Sequence, residues 1–192
     1  MELIFASNNA GKLAEVKLLL HEHYQLRTLK ESGIMEALPE PFHTFRENAW
    51  SKAGFVSGKT GRNCFAEDSG LVVPALSGAP GVFSARYAGL PSDDARNNQK
   101  LLQNMAGITD RNAYYQSVIC LFFNGNVYYF EGRCFGTIAS GPHGNGGFGY
   151  DPLFIPDGYD RTFASFELDE KNKISHRGIA VRKLAAFLNG QL

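Results

Sequence analysis

The sequence predicts an α/β protein built on a mixed β-sheet, and three observations carry that prediction. Short apolar runs stand near both ends, Leu3-Ile4-Phe5-Ala6 and Leu153-Phe154-Ile155. Between them, Tyr114 to Ile138 forms two strand-like arms rich in Val, Ile, Tyr and Phe around Asn124-Gly125, the favoured two-residue hairpin turn. Helical patterns lie between the strand-like segments, so one sheet of mixed direction with helices packed around it is expected. The chain has 192 residues and no repeat, low-complexity stretch or Pro/Ser-rich linker. It reads as one domain over residues 1–192, or two lobes sharing a core.

Leu3 to Ala6 is expected as a buried first strand running into the turn-like Ser7-Asn8-Asn9-Ala10-Gly11. Lys12 to Leu20 then keeps Leu13, Val16 and Leu20 at helical spacing. Thr44-Phe45-Arg46-Glu47 fits a capping box and predicts a helix from Phe45 to about Ser57. Asn63 to Val73 reads as strand, a turn near Ser69-Gly70, and strand again. Ser92-Asp93-Asp94 forms an N-cap with an acidic first turn, opening a helix that ends near Met105 and Gly107. Each hairpin arm is expected to run about ten residues, roughly 33 Å, with its alternating aromatics in the core. A glycine-rich loop, Ser140 to Gly149, follows. Then come the Leu153–Ile155 strand, a Pro156-Asp157-Gly158 turn and a last helix from about His176 to Leu188, capped by Ser175 and ended by Gly190.

Composition narrows the partners. Nineteen basic residues balance nineteen acidic ones, so no global field favours nucleic acid or a membrane surface. The three cysteines, Cys64, Cys120 and Cys134, are odd in number and widely spaced, which favours reduced thiols in the cytoplasm. Glu2, Asn8, Asn9 and Lys12 interrupt any signal-peptide pattern, and no apolar run approaches the roughly 18 residues that span a bilayer. The expectation is a soluble cytoplasmic protein with a small-molecule partner, no nucleic acid and no membrane.

Four stretches carry candidate chemistry. Ser7 to Lys12 sits at a strand-to-helix junction, where free N–H groups and a lysine suit an anion; the bland alternative is an Asn-rich turn with a solvated lysine. Glu67-Asp68-Ser69-Gly70 places neighbouring carboxylates in a strand, and with Glu40 they suit a hard cation such as Mg²⁺; otherwise they form an acidic turn. In an extended strand Glu67 and Asp68 point to opposite faces unless Ser69-Gly70 bends the chain. Gly144, Gly146 and Gly149 satisfy G-x-G-x-x-G, but Tyr150-Asp151-Pro152 follows where a dinucleotide fold needs a helix. Phe148-Gly149-Tyr150-Asp151 offers instead a flat aromatic beside a polar acceptor, the parts needed to stack and read a base, or simply a loop with a core aromatic. Ser175-His176-Arg177 opens the last helix with two potential cations against the dipole preference, so these are either donors to a ligand oxygen or a neutral His and a surface Arg. His21 and His23 have no acidic or cysteine company and read as bystanders.

Five stretches together resemble the inosine triphosphate pyrophosphatase family, the noncanonical purine nucleoside triphosphate pyrophosphatases that act on dITP and XTP. They are SNNAGKLAEV near the start, TFRENAWSKA at 44–53, EDSGLVVPALSGAPGVFSARYAG at 67–89, GGFGYDPLFIP at 146–156 and EKNKISHRGIAVRKL at 170–184. The resemblance covers nearly the whole chain in order. It implies hydrolysis of ITP, dITP or XTP to the monophosphate and pyrophosphate, Mg²⁺ (or Mn²⁺) as cofactor, and a homodimer. It also implies an elongated fold of two lobes with the substrate cleft between them. Carried over by position, Ser7, Asn8, Asn9, Ala10, Gly11 and Lys12 would cradle the triphosphate with Lys52. Asp68 and Glu40 would hold the metal, with Glu67 in support, and Asp68 would act as general base. Ser69 would touch substrate, while Phe148, Gly149, Tyr150, Asp151, Lys171, His176 and Arg177 would hold the base. The family usually has aspartate where Glu67 stands, so the reach of that carboxylate differs by a methylene. Two other functions share these features: a pyrophosphatase for modified pyrimidine or methylated nucleotides, and a non-catalytic purine-nucleotide sensor.

Overall fold

The computed structural model describes residues 2–20 and 24–190; His21 and His23 lie outside the described residues. Strand β1 (Glu2–Phe5) holds Leu3, Ile4 and Phe5 with no solvent exposure. An apolar run on both faces fits a strand flanked on each side by a parallel neighbour. Those neighbours are β2 (Gln25–Arg27) and β3 (Cys64–Val72), with Ile4 opposite Cys64 and Phe5 opposite Phe65. Strands β4 (Asn112–Phe123), β5 (Asn126–Ile138) and β6 (Phe154–Pro156) complete one six-stranded sheet in the order β2-β1-β3-β4-β5-β6. The β4–β5 turn has Asn124 and Gly125 at φ of 50° and 80°, the left-handed pair that a type I′ hairpin requires. β6 pairs antiparallel with β5, so the sheet is mixed as expected.

Among the described residues five α-helices accompany the strands: α1 (Ala10–Leu20), α2 (Phe45–Thr60), α3 (Asp94–Asn104), α4 (Leu168–Ile174) and α5 (His176–Asn189). The Thr44 hydroxyl accepts from the Glu47 N–H at 3.2 Å and donates to the Glu47 carboxylate at 2.6 Å, so the predicted cap opens α2. Asp93 caps α3 by accepting from the Arg96 N–H at 2.8 Å. Helix α4 and strand β2 escaped the sequence reading. Leu168-Asp169-Glu170-Lys171-Asn172-Lys173-Ile174 has no apolar stripe, and β2 is only three residues long.

The turn expected near Ser69-Gly70 is a correction: β3 runs unbroken through both residues to Val72. Gly70 keeps a negative φ, and Leu71 and Val73 beyond it are fully buried. Continued burial of alternate side chains outweighs the local freedom of one glycine.

The chain divides into two compact units. The first comprises Met1–Asp68, Ser117–Gly132 and Arg177–Leu192, and the second Ser69–Gln116 and Arg133–His176. In the first unit strand alternation sorts two cores. Leu3, Phe5, Phe65 and Ile119 pack with Val16 and Leu20 of α1 and Val181 and Leu184 of α5. Ile4, Cys64, Ala66 and Cys120 pack with Ala49, Ala53 and Val56 of α2. The second unit gathers Leu71, Leu101, Tyr115, Leu153, Phe154 and Phe163. All three cysteines are free, and burial pushes their thiols up to about 12, which keeps them unreactive at neutral pH. Among the described residues no helix is long and apolar enough to cross a membrane.

Gly136 on β5 marks the tightest strand contact. A Cβ there would stand 2.2 Å from the Ile155 carbonyl oxygen and 2.9 Å from the Pro156 Cα, both backbone atoms of β6. Gly136→Ala is therefore expected to cost about 2 kcal/mol or more in a urea melt, from forced displacement of β6. An unchanged midpoint would contradict the close pairing.

Candidate active site

The face assignment of β3 decides where its two acids go. Phe65 faces the core shared with α1 and α5, and Cys64 and Ala66 face the core shared with α2. With period two, Glu67 follows Phe65 and Asp68 follows Ala66. Their partners agree with that sorting.

Glu67, with a fully enclosed side chain, takes the Arg177 Nε of α5 on both carboxylate oxygens at 2.9 and 3.0 Å. It also accepts from the Ser117 hydroxyl at 2.7 Å and stands 3.3 Å from the Lys12 Nζ of α1. Arg177 binds Glu15 of α1 with its other arm, and its own exposure is 2%. The two carboxylates hold the guanidinium well above its ordinary value against the penalty of burial.

Asp68 meets α2 instead. Its Oδ1 accepts from the Lys52 Nζ at 2.8 Å and its Oδ2 from the Asn48 amide at 3.4 Å. Lys52 and Asn48 lie four residues apart and share one helix face. Lys52 also donates to Glu40 at 2.7 Å, so Glu40 and Asp68 converge on a single cation. Burial works against the charge on Lys52, but Asp68 and Glu40 outweigh it and raise its pKa. Burial raises the Asp68 carboxyl above the usual aspartate value, while Lys52 and Lys12 pull it back. Burial lowers the Lys12 ammonium; Glu67 resists this, and Lys52 and Arg177 add to it.

Glu15, Glu40, Glu67 and Asp68 face Lys12, Lys52 and Arg177, four carboxylates against three cations. Among the described residues no group of three or more His, Cys, Asp or Glu side chains is arranged as a metal cage. Glu40 and Asp68 nevertheless present oxygens to one point. That donor set fits Mg²⁺, which is commonly held by one or two carboxylates plus water and phosphate oxygens.

The Ser7–Lys12 segment is built as an N-terminal cap. Asn9 Oδ1 accepts from the Lys12 N–H at 2.9 Å, and Ser7 Oγ accepts from the Asn9 N–H at 3.2 Å. Asn8 and Ala10 are exposed, and Gly11 is half-buried. By helix geometry the N–H groups of Ala10 and Gly11 have no helical carbonyl to meet.

The second unit holds its own charged cluster. Asp151 Oδ2 accepts from the Lys171 Nζ at 2.5 Å and from the Phe148 N–H at 3.0 Å. The Lys171 ammonium stands 5.0 Å from the Phe148 ring centroid. Gly147 must be glycine, because a Cβ would lie 2.1 Å from Asp151 Oδ2 and φ is +71°. Tyr150 is buried and donates to the Ser84 carbonyl at 2.8 Å. His176 is 3% exposed and stacks parallel on Tyr115, with centroids 4.6 Å apart. Ser69 is half-buried in β3.

The residues expected at the phosphates thus gather in the first unit. Of those expected at the base, Ser69 aside, all but Arg177 lie in the second. Arg177 is not on the surface: it is buried and pairs with Glu67 and Glu15. Sequence reasoning missed Glu15, Asn48 and Ser117. A signal existed for Asn48, one helical turn before Lys52, but Glu15 and Ser117 reach Arg177 and Glu67 from 162 and 50 positions away.

Fold and clusters together define a mixed-sheet α/β protein with buried acid–base pairs in each unit. The chain matches the Ham1 family over residues 3–187 and belongs to that family. It is 47% identical over 187 residues to a dITP/XTP pyrophosphatase of Flavobacterium psychrophilum, covering 97% of this chain and 98% of the relative. A dITP/XTP pyrophosphatase of Porphyromonas gingivalis is 46% identical over 188 residues, covering 97% of each. Among solved structures, the Ham1 protein of Staphylococcus aureus aligns over all of both chains with a TM-score of 0.91 and 38% identity. The Coxiella burnetii HAM1 protein gives 0.91 and 40% over 99% of each.

Arg177→Met would leave Glu67 and Glu15 buried without their shared cation. Its expected cost is about 3–5 kcal/mol in equilibrium unfolding. The exposed Arg161–Glu170 pair serves as control, where Arg161→Met should cost under about 1 kcal/mol. Equal losses would contradict the buried pairing.

Proposed function

We infer that this protein hydrolyses noncanonical purine nucleoside triphosphates such as ITP, dITP and XTP to the monophosphate and pyrophosphate. Water attacks the α-phosphorus. The geometry that carries the reading is the buried Asp68 sharing Lys52 with Glu40, in a chain 47% identical to a dITP/XTP pyrophosphatase.

Asp68 takes the proton of the attacking water. A carboxyl raised by burial is a stronger base than a free one, and Asn48 holds its second oxygen in place. Lys52 and Lys12 meet the charge that grows on the leaving pyrophosphate. Burial works against the charge on Lys12, and a phosphate beside it would favour that charge. Ser7 to Gly11 add the N–H groups of the α1 terminus. Asp68 and Glu40 would hold Mg²⁺, or Mn²⁺ in its stead, with Glu67 behind them. When bound, the ion neutralises phosphate charge and acidifies its water.

For the base, Phe148 offers a face for stacking and Lys171, aimed by Asp151, donates to the six-keto oxygen. Gly149 and Tyr150 shape that loop, His176 is a further donor, and Ser69 contacts substrate beside Asp68. Adenine would bring an amino group against the Lys171 ammonium where a keto oxygen would accept, a mismatch that discriminates strongly. Arg177 contributes by anchoring α5, which begins with His176. A homodimer in the cytoplasm belongs to the same reading, and light scattering measures its stoichiometry.

A nucleotide panel with pyrophosphate detection tests the reaction. ITP, dITP and XTP should release pyrophosphate faster than ATP, dTTP and UTP by on the order of 100-fold. Chelation of Mg²⁺ should abolish release and its return should restore it. Faster release from dTTP or UTP than from ITP and XTP would overturn the substrate assignment.

A further inference from the structure

Gly149 is gripped at both ends of its backbone. Its N–H donates to Asp94 Oδ2 at 2.7 Å, and its carbonyl accepts from Asn98 Nδ2 at 2.8 Å. Both side chains come from α3, four residues apart on one helix face. Asn98 Nδ2 also donates to the Asp94 carbonyl at 2.9 Å, which ties the amide to the same turn. Asn98 Oδ1 is enclosed without a hydrogen-bond partner among the described residues, so the nitrogen alone orients the amide. Gly149 itself has φ of +61°, a left-handed conformation that only glycine adopts freely. Such a backbone persists where its surroundings fix it.

The residues around this grip are those assigned above to the base. On one side is Phe148, whose N–H is held by the Asp151 carboxylate that also aims Lys171. On the other is Tyr150, whose hydroxyl is tied to Ser84. Phe148 and Tyr150 are each joined to Gly149 by one of the two peptides that α3 grips. A change at Asp94 or Asn98 therefore moves the stacking ring and the lysine pair together, without touching either.

We propose that Asp94 and Asn98 are positioning residues for base recognition. They hold the Gly149 peptides so that the Phe148 ring and the Lys171–Asp151 pair meet a six-keto purine in register. The proposal rests on the assignment of Phe148, Asp151 and Lys171 to the base. Discrimination depends on Lys171 being unable to retreat from an amino group; a loop released from α3 lets it retreat. Positioning thus governs selectivity more than turnover, since Asp68, Lys52 and Lys12 belong to the other unit.

The test compares Asp94→Ala, Asn98→Leu and Asp94→Asn, the last of which keeps an acceptor at the same reach. Kinetics with ITP and with ATP, inhibition by pyrophosphate, and thermal melts are read for each. Loss of either hydrogen bond should raise the ITP KM about tenfold and shrink the ITP-to-ATP ratio of kcat/KM by a similar factor. The ITP kcat should stay within about twofold and pyrophosphate inhibition should be unchanged, with Asp94→Asn close to the parent. Unchanged KM and selectivity in Asp94→Ala and Asn98→Leu would overturn the proposal while leaving the base assignment intact. Equal losses for ITP and ATP that follow a fall in melting temperature would overturn it too, in favour of a purely structural contact. A parent enzyme that does not prefer ITP to ATP would bring down the base assignment and this proposal with it.

Discussion

A guanidinium enclosed in protein, with Glu67 on one side and Glu15 on the other, constrains most of the first unit. Arg177 is buried between both carboxylates, and its removal would leave Glu67 and Glu15 without the cation they share. Satisfying that condition ties α5 to α1 and both to β3, around the core of Leu3, Phe5, Phe65 and Ile119. Ser117 on β4 closes the set with a hydrogen bond to Glu67. The second charged group, Asp68 with Lys52 and Glu40, is built against α2 on the other strand face.

Neighbouring acids in one strand therefore divide their labour by parity. Glu67 faces the arginine and serves packing, whereas Asp68 faces α2, where burial raises its carboxyl. A carboxyl whose folded pKa lies above its unfolded one costs stability at neutral pH, because the native state disfavours its charge. Such a cost is what the catalytic role proposed for Asp68 would carry. No bend at Ser69-Gly70 is needed to give the two acids different partners, because strand alternation does so.

Much of this was legible in the chain. The hairpin turn at Asn124-Gly125, the caps at Thr44 and Asp93 and the absence of a helix after the glycine-rich loop are written in local residues. The motifs likewise named Lys12, Lys52, Asp68, Asp151 and Lys171, which the fold pairs within each unit. What stayed hidden is what depends on distant partners. The Ser69-Gly70 pair carries a turn signal that buried Leu71 and Val73 override, and α4 lacks the apolar periodicity by which a helix is recognised. Glu15 is an ordinary helix glutamate until Arg177 arrives from 162 positions away, and Arg177 looks like a surface residue until Glu67 receives it.

The contrast between Asp68→Asn and Glu67→Gln, measured as kcat for ITP and as urea midpoint on the same two proteins, bears most directly on this division. Asp68→Asn should lose at least about 100-fold in turnover while its midpoint holds or rises. Glu67→Gln should fall by about 3 kcal/mol in stability and keep the larger share of turnover. A destabilised Asp68→Asn that still turns over, beside a stable and inactive Glu67→Gln, would contradict the account.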